Sequence, residues 1–228
     1  MSSGGAEVRD VEHELTLPEE LLLLVYDDEK GSTWSTTLDV GLGGAVQVDL
    51  SLRGRVDVRD GDLVVLDATP TGEPVLDAAL AEVAAGARPK PPKRWLTALG
   101  KDARAASLER LVERGVLRRE EGRVLGLFPR TRYPEADGGP EARVRQRLHD
   151  AVVVGTTPDA RTAALASLVR ALRLRGEVFR GEDRRATDRR LEELSEGEWA
   201  GAAVKRALDE IMAAATTVVI TTGAASSG

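Results

Sequence analysis

Leu15-Thr16-Leu17-Pro18-Glu19-Glu20-Leu21-Leu22-Leu23-Leu24-Val25 carries the clearest structural instruction in the chain. Thr16-Leu17-Pro18-Glu19 reads as a capping box, with proline in the first turn, where its missing N–H costs nothing. The run Leu21 to Val25 is apolar on every side of a helix. Such a helix cannot lie on a surface, so other elements must surround it. Asp27-Asp28-Glu29-Lys30-Gly31 closes it. The expected architecture is therefore mainly α: a single-domain helical bundle packed around a buried early helix.

Working outward, residues 38–52 carry two signals. Leu38, Leu42, Ala45, Val46 and Asp49 follow helical spacing, whereas Val46, Val48, Leu50 and Leu52 alternate like a strand. Val56 and Val58, Asp60-Gly61, then Leu63 to Leu66 read as a short hairpin. Thr71-Gly72-Glu73-Pro74 opens a helix through Val75, Leu76, Ala79, Leu80 and Val83, stopped near Gly86. Residues 88–94, Arg-Pro-Lys-Pro-Pro-Lys-Arg, form a stiff basic loop. Trp95, Leu96 and Leu99 make a short helical face, and residues 101–114 a helix stopped by Gly115. A second hairpin is expected over 116–128, with strands 116–118 and 124–128 turning at Glu121-Gly122. Further helices are expected near 141–153, 159–175, 184–194 and 199–215. The domain reading is a loose tail over 1–13, one helical domain over 14–216 with the hairpins as insertions, and a C-terminal tail over 217–228.

Composition narrows the chemistry. The 228 residues include no cysteine, which removes disulfides, thiolate catalysis and cysteine-ligated zinc. Aromatics are 3% of the chain, so Leu, Val and Ala must build the core, which favours packed helices. No secretory signal is expected from residues 1–10, and no apolar run approaches the ~20 residues a spanning helix needs. His13 and His149 sit in no cluster with ligand spacing. No nucleophile elbow, P-loop or dinucleotide fingerprint occurs, and Gly41-Leu42-Gly43-Gly44 is better explained by close helix packing than by a phosphate cradle. No catalytic residue, cofactor or metal is therefore expected, and the chain is read as a non-enzyme.

Charge is unevenly spread. Residues 1–87 hold 5 basic and 18 acidic side chains, whereas residues 88–149 hold 16 basic and 8 acidic ones. Solvated helix faces account for one reading of these blocks; an anion-binding middle segment is the other. Within that segment Lys101 and Arg104 lie three apart, so a helix projects both from one face, as a phosphate would require. The alternative is again a solvated face. Trp34 sits in the polar stretch Gly31-Ser32-Thr33-Trp34-Ser35, either as a lid on the core or as an interface anchor. The basic loop at 88–94 is suited to steering toward anionic lipid.

These stretches fall into one pattern. Residues 15–24, the Gly41-Leu42-Gly43-Gly44 run, Leu50-Ser51-Leu52-Arg53-Gly54-Arg55-Val56, Asp67-Ala68-Thr69-Pro70-Thr71-Gly72 and Leu111-Val112-Glu113-Arg114-Gly115-Val116-Leu117 together resemble the Golgi phosphoprotein 3 family. The resemblance runs from about residue 15 to 149 and more weakly to about 215. It implies a mostly helical domain and resolves 38–52 as helix. It implies a peripheral membrane protein on the cytoplasmic face of a membrane, binding phosphatidylinositol 4-phosphate or a related anionic phospholipid. Trp34, Lys101 and Arg104 match the family's headgroup-binding residues, while a further family arginine is here Gly43. The resemblance also implies a homo-oligomer formed through the second hairpin, with Leu117, Arg118, Arg123, Leu125 and Leu127 as its residues, and membrane-protein tails as partners. Abundant Ala, Arg and Gly without Cys fit a GC-rich bacterial source.

Two other readings stay open at this level. A helix over 101–114 followed by a hairpin has the order of a winged-helix nucleic-acid binder. Against it stand Asp102, Glu109 and Glu113 on the same helix and an overall net charge of -6, so no nucleic acid is expected. A helical scaffold for protein partners is the second, and it is compatible with lipid binding.

Overall fold

The computed structural model describes residues 15–26, 35–124, 128–197 and 202–225. Among them the chain is a helical bundle with two small antiparallel hairpins, as expected. Helix α1 spans Leu17–Val25, and the Thr16/Glu19 capping box is formed: Glu19 Oε2 accepts from the Thr16 backbone N–H at 2.6 Å and its hydroxyl at 2.9 Å. Leu17 and Leu21 to Leu24 are all buried, as an all-round apolar helix requires.

The ambiguous stretch is helix α2, Ser35–Leu52, so its strand-like alternation misled. Its even and odd positions are equally buried: Val46, Gln47, Val48, Asp49 and Leu50 are each at or near zero exposure. A helix enclosed on all sides shows no amphipathic period, and any alternation left in its composition is incidental. α2 is the axis of the bundle, packed by α1 and by the later helices α3 (Pro74–Ala84), α4 (Leu96–Glu113), α6 (Ala160–Ala171) and α9 (Ala202–Ala225). Strands β1 (Val56–Arg59) and β2 (Asp62–Val65) form the first hairpin, Val56 facing Val65 across the ladder.

Four boundaries differ from the sequence reading. First, α4 is one helix that begins at Leu96, with Gly100 inside it. Second, the second hairpin is shifted toward the C-terminus. Its strands are β3 (Glu120–Val124) and β4 (Phe128–Arg132), pairing Glu120 with Arg132 and Gly122 with Arg130. Glu121 and Gly122 lie within a strand, not at a turn. Val116 and Leu117 are instead drawn into the core as the chain leaves α4. Their apolar character signals burial, and Leu117 forms only an isolated bridge to Glu135. Third, helix α9 runs on to Ala225, through residues read as a C-terminal tail, and buries Val219. Fourth, the segment read as one helix over 159–175 breaks at Arg173 into α6 and the short α7 (Arg175–Val178). α5 (Gly139–His149), continued by a π-helical turn over Asp150–Val154, and α8 (Arg184–Glu196) complete the set. No helix among the described residues is long and apolar enough to cross a membrane.

Charge is also buried in this bundle. Glu20 Oε1 receives Arg147 Nη2 at 2.7 Å and Arg161 Nε at 3.2 Å. Arg161 also reaches Asp49 Oδ1 at 3.4 Å and donates to the Leu15 carbonyl. Asp49 Oδ2 in turn accepts the Leu17 N–H at 2.7 Å, an otherwise unpaired donor in the first turn of α1. Glu19 Oε1 meets Arg110 Nε at 2.9 Å, and Arg110 also pairs with Glu73. These ion pairs tie α1, α2, α4, α5 and α6 into one body. Burial holds the Glu19 and Glu20 carboxyls above the usual range, even though the arginines and hydrogen bonds pull the other way.

Candidate functional site

Lys101 and Arg104, two of the residues expected from sequence to bind an anion, lie on α4 beside its crossing with α2. Two glycines set that crossing. A Cβ on Gly43 would overlap the Leu96 backbone carbonyl, and one on Gly100 would overlap the Asp39 backbone carbonyl. The helices therefore touch backbone to backbone at both points, which only glycine permits. The glycine-rich run is thus a packing device, as expected. It also explains Gly43 itself: the arginine implied by the resemblance has no room here, because its first side-chain carbon already meets α4.

The pairs Gly43/Leu96 and Asp39/Gly100 define an antiparallel register, since moving four residues back on α2 moves four residues forward on α4. Extended one more turn, it brings Ser35 level with Arg104. Lys101 and Arg104 thus stand on the α4 turns beside the first turns of α2. Lys101 is exposed; Arg104 is half-buried, with Nε 3.2 Å from Oδ1 of buried Asp39. Burial raises the Asp39 pKa, and the nearby Arg104 and Lys101 charges oppose that rise. Asp39 went unnoticed in the sequence reading. The available signal was that it is the lone charged residue in the otherwise neutral span 35–48. It steadies Arg104, and it also competes with any anion for that guanidinium.

The basic loop leads into α4. Arg88, Lys90, Lys93 and Arg94 are exposed, while Pro92 is buried and anchors the loop. Lys90 Nζ sits 4.9 Å from the centroid of the buried Trp95 ring, a cation–π contact. Arg94 lies seven residues before Lys101, roughly 10 Å along a helix axis. The loop stands further along α2 than Lys101 and Arg104, beside Gln47, whose Nε2 donates to the Pro92 carbonyl at 3.3 Å, so its cations flank the start of α2 from a distance. Trp34 lies outside the described residues, as do Leu125 and Leu127. Of the remaining hairpin candidates, Leu117 is buried within the chain's own core. Arg118 is exposed, precedes β3 and pairs with Glu120 at 2.9 Å, and Arg123 contributes its backbone to β3. On α4 itself, exposed Asp102, Glu109 and Glu113 interrupt the positive charge, which disfavours a duplex-binding helix.

The family profile described as Golgi phosphoprotein 3 (GPP34) matches residues 17–211. The chain belongs to the Golgi phosphoprotein 3 family. Among curated proteins it is similar to vacuolar protein sorting-associated protein 74 of Eremothecium gossypii, 29% identical over 165 residues. That alignment covers 61% of this chain and 49% of the relative, so the chain spans about half the length of that protein. The profile begins at the first residue of α1 and ends within α9, taking in both hairpins and the α2–α4 crossing. In this Golgi phosphoprotein 3 family member the crossing is closed by Gly43 and Gly100, and its charged residues are Asp39, Lys101 and Arg104.

Proposed function

We propose that the chain is a peripheral membrane protein that takes the phosphorylated headgroup of an anionic phospholipid, a phosphoinositide such as phosphatidylinositol 4-phosphate, between the start of α2 and the outer face of α4. Lys101 and Arg104 supply the cations, and Trp34, next in the chain to the first residue of α2, supplies an interfacial anchor. The observation that carries this reading is the α2–α4 register, which brings the start of α2 level with the Lys101–Arg104 turns. Each basic group of the neighbouring loop adds about 1 kcal/mol of attraction to an anionic surface. The relative's name, which refers to vacuolar protein sorting, supports a role at membranes. Tails of membrane proteins at the cytoplasmic face are the partners that such docking would bring within reach.

The test is co-sedimentation with phosphatidylcholine vesicles with or without a few per cent phosphatidylinositol 4-phosphate. Trp34→Ala, Lys101→Ala and Arg104→Ala are each expected to weaken binding by about ten-fold or more, the worth of one charge-assisted hydrogen bond or one buried indole. Asp39→Asn is expected to tighten it, because Arg104 then no longer shares its charge with a carboxylate. Sedimentation of all four variants equal to the parent's would rule the site out.

The hairpin favours a second, compatible role in self-association. Strands β3 and β4 pair with each other, and β4 contains Pro129, a residue suited to an edge. A lone two-stranded ribbon has open edges and little stability of its own, so a second copy of the chain is a suitable cover. Replacing residues 120–132 with a short Gly-Ser turn is expected to lower the mass seen by light scattering. An unchanged mass would remove the hairpin from assembly.

A further inference from the structure

Among the described residues, three helices end in the same hydrogen-bonded cap, and one of the three is filled by an unexpected residue. At the end of α2, Gly54 N–H donates to the Ser51 carbonyl at 2.9 Å and Arg55 N–H to the Leu50 carbonyl at 2.8 Å. At the end of α4, Gly115 N–H donates to Val112 at 3.0 Å and Val116 N–H to Leu111 at 2.9 Å. At the end of α6, Arg173 N–H donates to Arg170 at 3.0 Å and Leu174 N–H to Val169 at 2.9 Å. The pivot residue is left-handed in all three, with φ of 67° at Gly54, 71° at Gly115 and 60° at Arg173. This cap belongs to glycine, because any Cβ is disfavoured there. An arginine held in that conformation is strained, and strain of this kind collects at sites where the side chain has work to do.

Arg173 stands at a cleft of about 550 Å³ between the end of α6, α7 and the start of α8. Five arginines line it: Arg170, Arg173, Arg175, Arg184 and Arg189. Two carboxylates partly offset them. Asp188 is shared by Arg175 Nε at 3.2 Å and Arg184 Nε at 3.6 Å, and Glu192 takes Arg170 Nη2 at 2.7 Å. Five positive and two negative side chains line the cleft, and Glu193 lies 3.9 Å from the lining Arg189, so the local excess is two positive charges in a chain whose net charge is -6. The Arg173 guanidinium has no ion pair or hydrogen bond among the described residues. Guanidinium forks match the oxygens of a phosphate group, and several of them converging on a concave surface select a multiply charged anion.

We infer that the α6–α7–α8 cleft is a second anion site, which binds a phosphate monoester through Arg173 with Arg170, Arg175 and Arg184 around it. It shares no residue with the Lys101–Arg104 face and stands whether or not that face binds lipid. The monoester has two sources, a soluble phosphorylated molecule or a lipid headgroup, and the experiment separates them.

Arg173→Gly is an unusually clean probe. Glycine relaxes the cap, so the variant is expected to melt at or above the parent's temperature while losing the central charge. Calorimetric titration at low salt with inorganic phosphate and with inositol 1,4-bisphosphate is expected to show binding to the full-length parent. Roughly ten-fold weaker binding is expected for Arg173→Gly and Arg184→Gln, compared in the Lys101→Ala background so that the α2–α4 face does not contribute. If vesicles containing phosphatidylinositol 4-phosphate also lose affinity for Arg173→Gly, the source is a headgroup; if only the soluble titration changes, it is a free phosphoester. Absence of binding to the parent would overturn the inference. So would parental affinity in both cleft variants, or loss of all soluble binding in Lys101→Ala alone.

Discussion

Gly100→Ala is expected to lower the thermal midpoint by at least about 6 °C, from a loss of about 3 kcal/mol or more at 2–4 °C per kcal/mol for a chain of this size. The added methyl would overlap the Asp39 backbone carbonyl, an atom of the central helix that cannot swing aside as a side-chain tip can. Relief requires α2 and α4 to separate, and those helices share the most extensive packing in the bundle. Gly43→Ala meets the Leu96 carbonyl in the same way and is expected to behave alike. Gly176→Ala is the control: nothing lies within 4 Å of the new carbon, so the change is expected to be neutral or slightly stabilising. Scanning calorimetry on the three variants checks this. A Gly100→Ala protein that melts with the parent would show that the two backbones are not in contact. Restoring an arginine at position 43 is, by the same physics, a route to unfolding rather than to tighter lipid binding.

Arg161→Ala is expected to cost about 3–5 kcal/mol. Its guanidinium, 14% exposed, serves Glu20 and Asp49, which are 2% and 1% exposed, and the Leu15 carbonyl besides. Without it, two buried carboxylates lose a partner, and Arg147 and Arg53 are left to compensate. By contrast Arg59→Ala removes a pair whose arginine is 62% exposed, and is expected to cost less than about 1 kcal/mol. Chemical denaturation compares the two, and equal midpoints would remove the buried network from the stability of the bundle. The Arg161→Ala loss should also depend on pH. The folded pKa of Glu20 lies above its unfolded value, so between the two the native state holds more protons and stability falls as pH rises. Removing a cation beside Glu20 raises that pKa further. The penalty is therefore expected to grow as pH rises through the Glu20 titration and to shrink as pH falls through it, because the protonated carboxyl no longer needs the arginine.

Much of the bundle was legible because its signals are local. A Thr-x-x-Glu box with proline behind it can do little but start a helix, and five consecutive apolar residues can do little but bury it. Asp60-Gly61 sets a tight turn, and Gly115 a helix stop, through backbone preferences that need no neighbours. Lys101 and Arg104 could be placed on one face by helical spacing alone. Where the reading failed, the missing information was long-range. Residues 38–52 lack a helical period because the helix is covered on every side, and coverage is a property of the other helices. Val116 and Leu117 looked like a strand because they are apolar; the core that receives them is assembled from distant segments.

The chain's order of residues thus determined a helical bundle, its caps and turns, and a basic stretch in its middle. Only the folded packing decided that Gly43 is spoken for by Leu96, that Arg104 leans on Asp39, and that five arginines scattered from 170 to 189 surround one cleft. The reason is physical. Caps and turns are settled within a few residues by backbone geometry, whereas van der Waals overlap and Coulomb attraction act between whatever atoms the fold brings near, however far apart they lie along the chain.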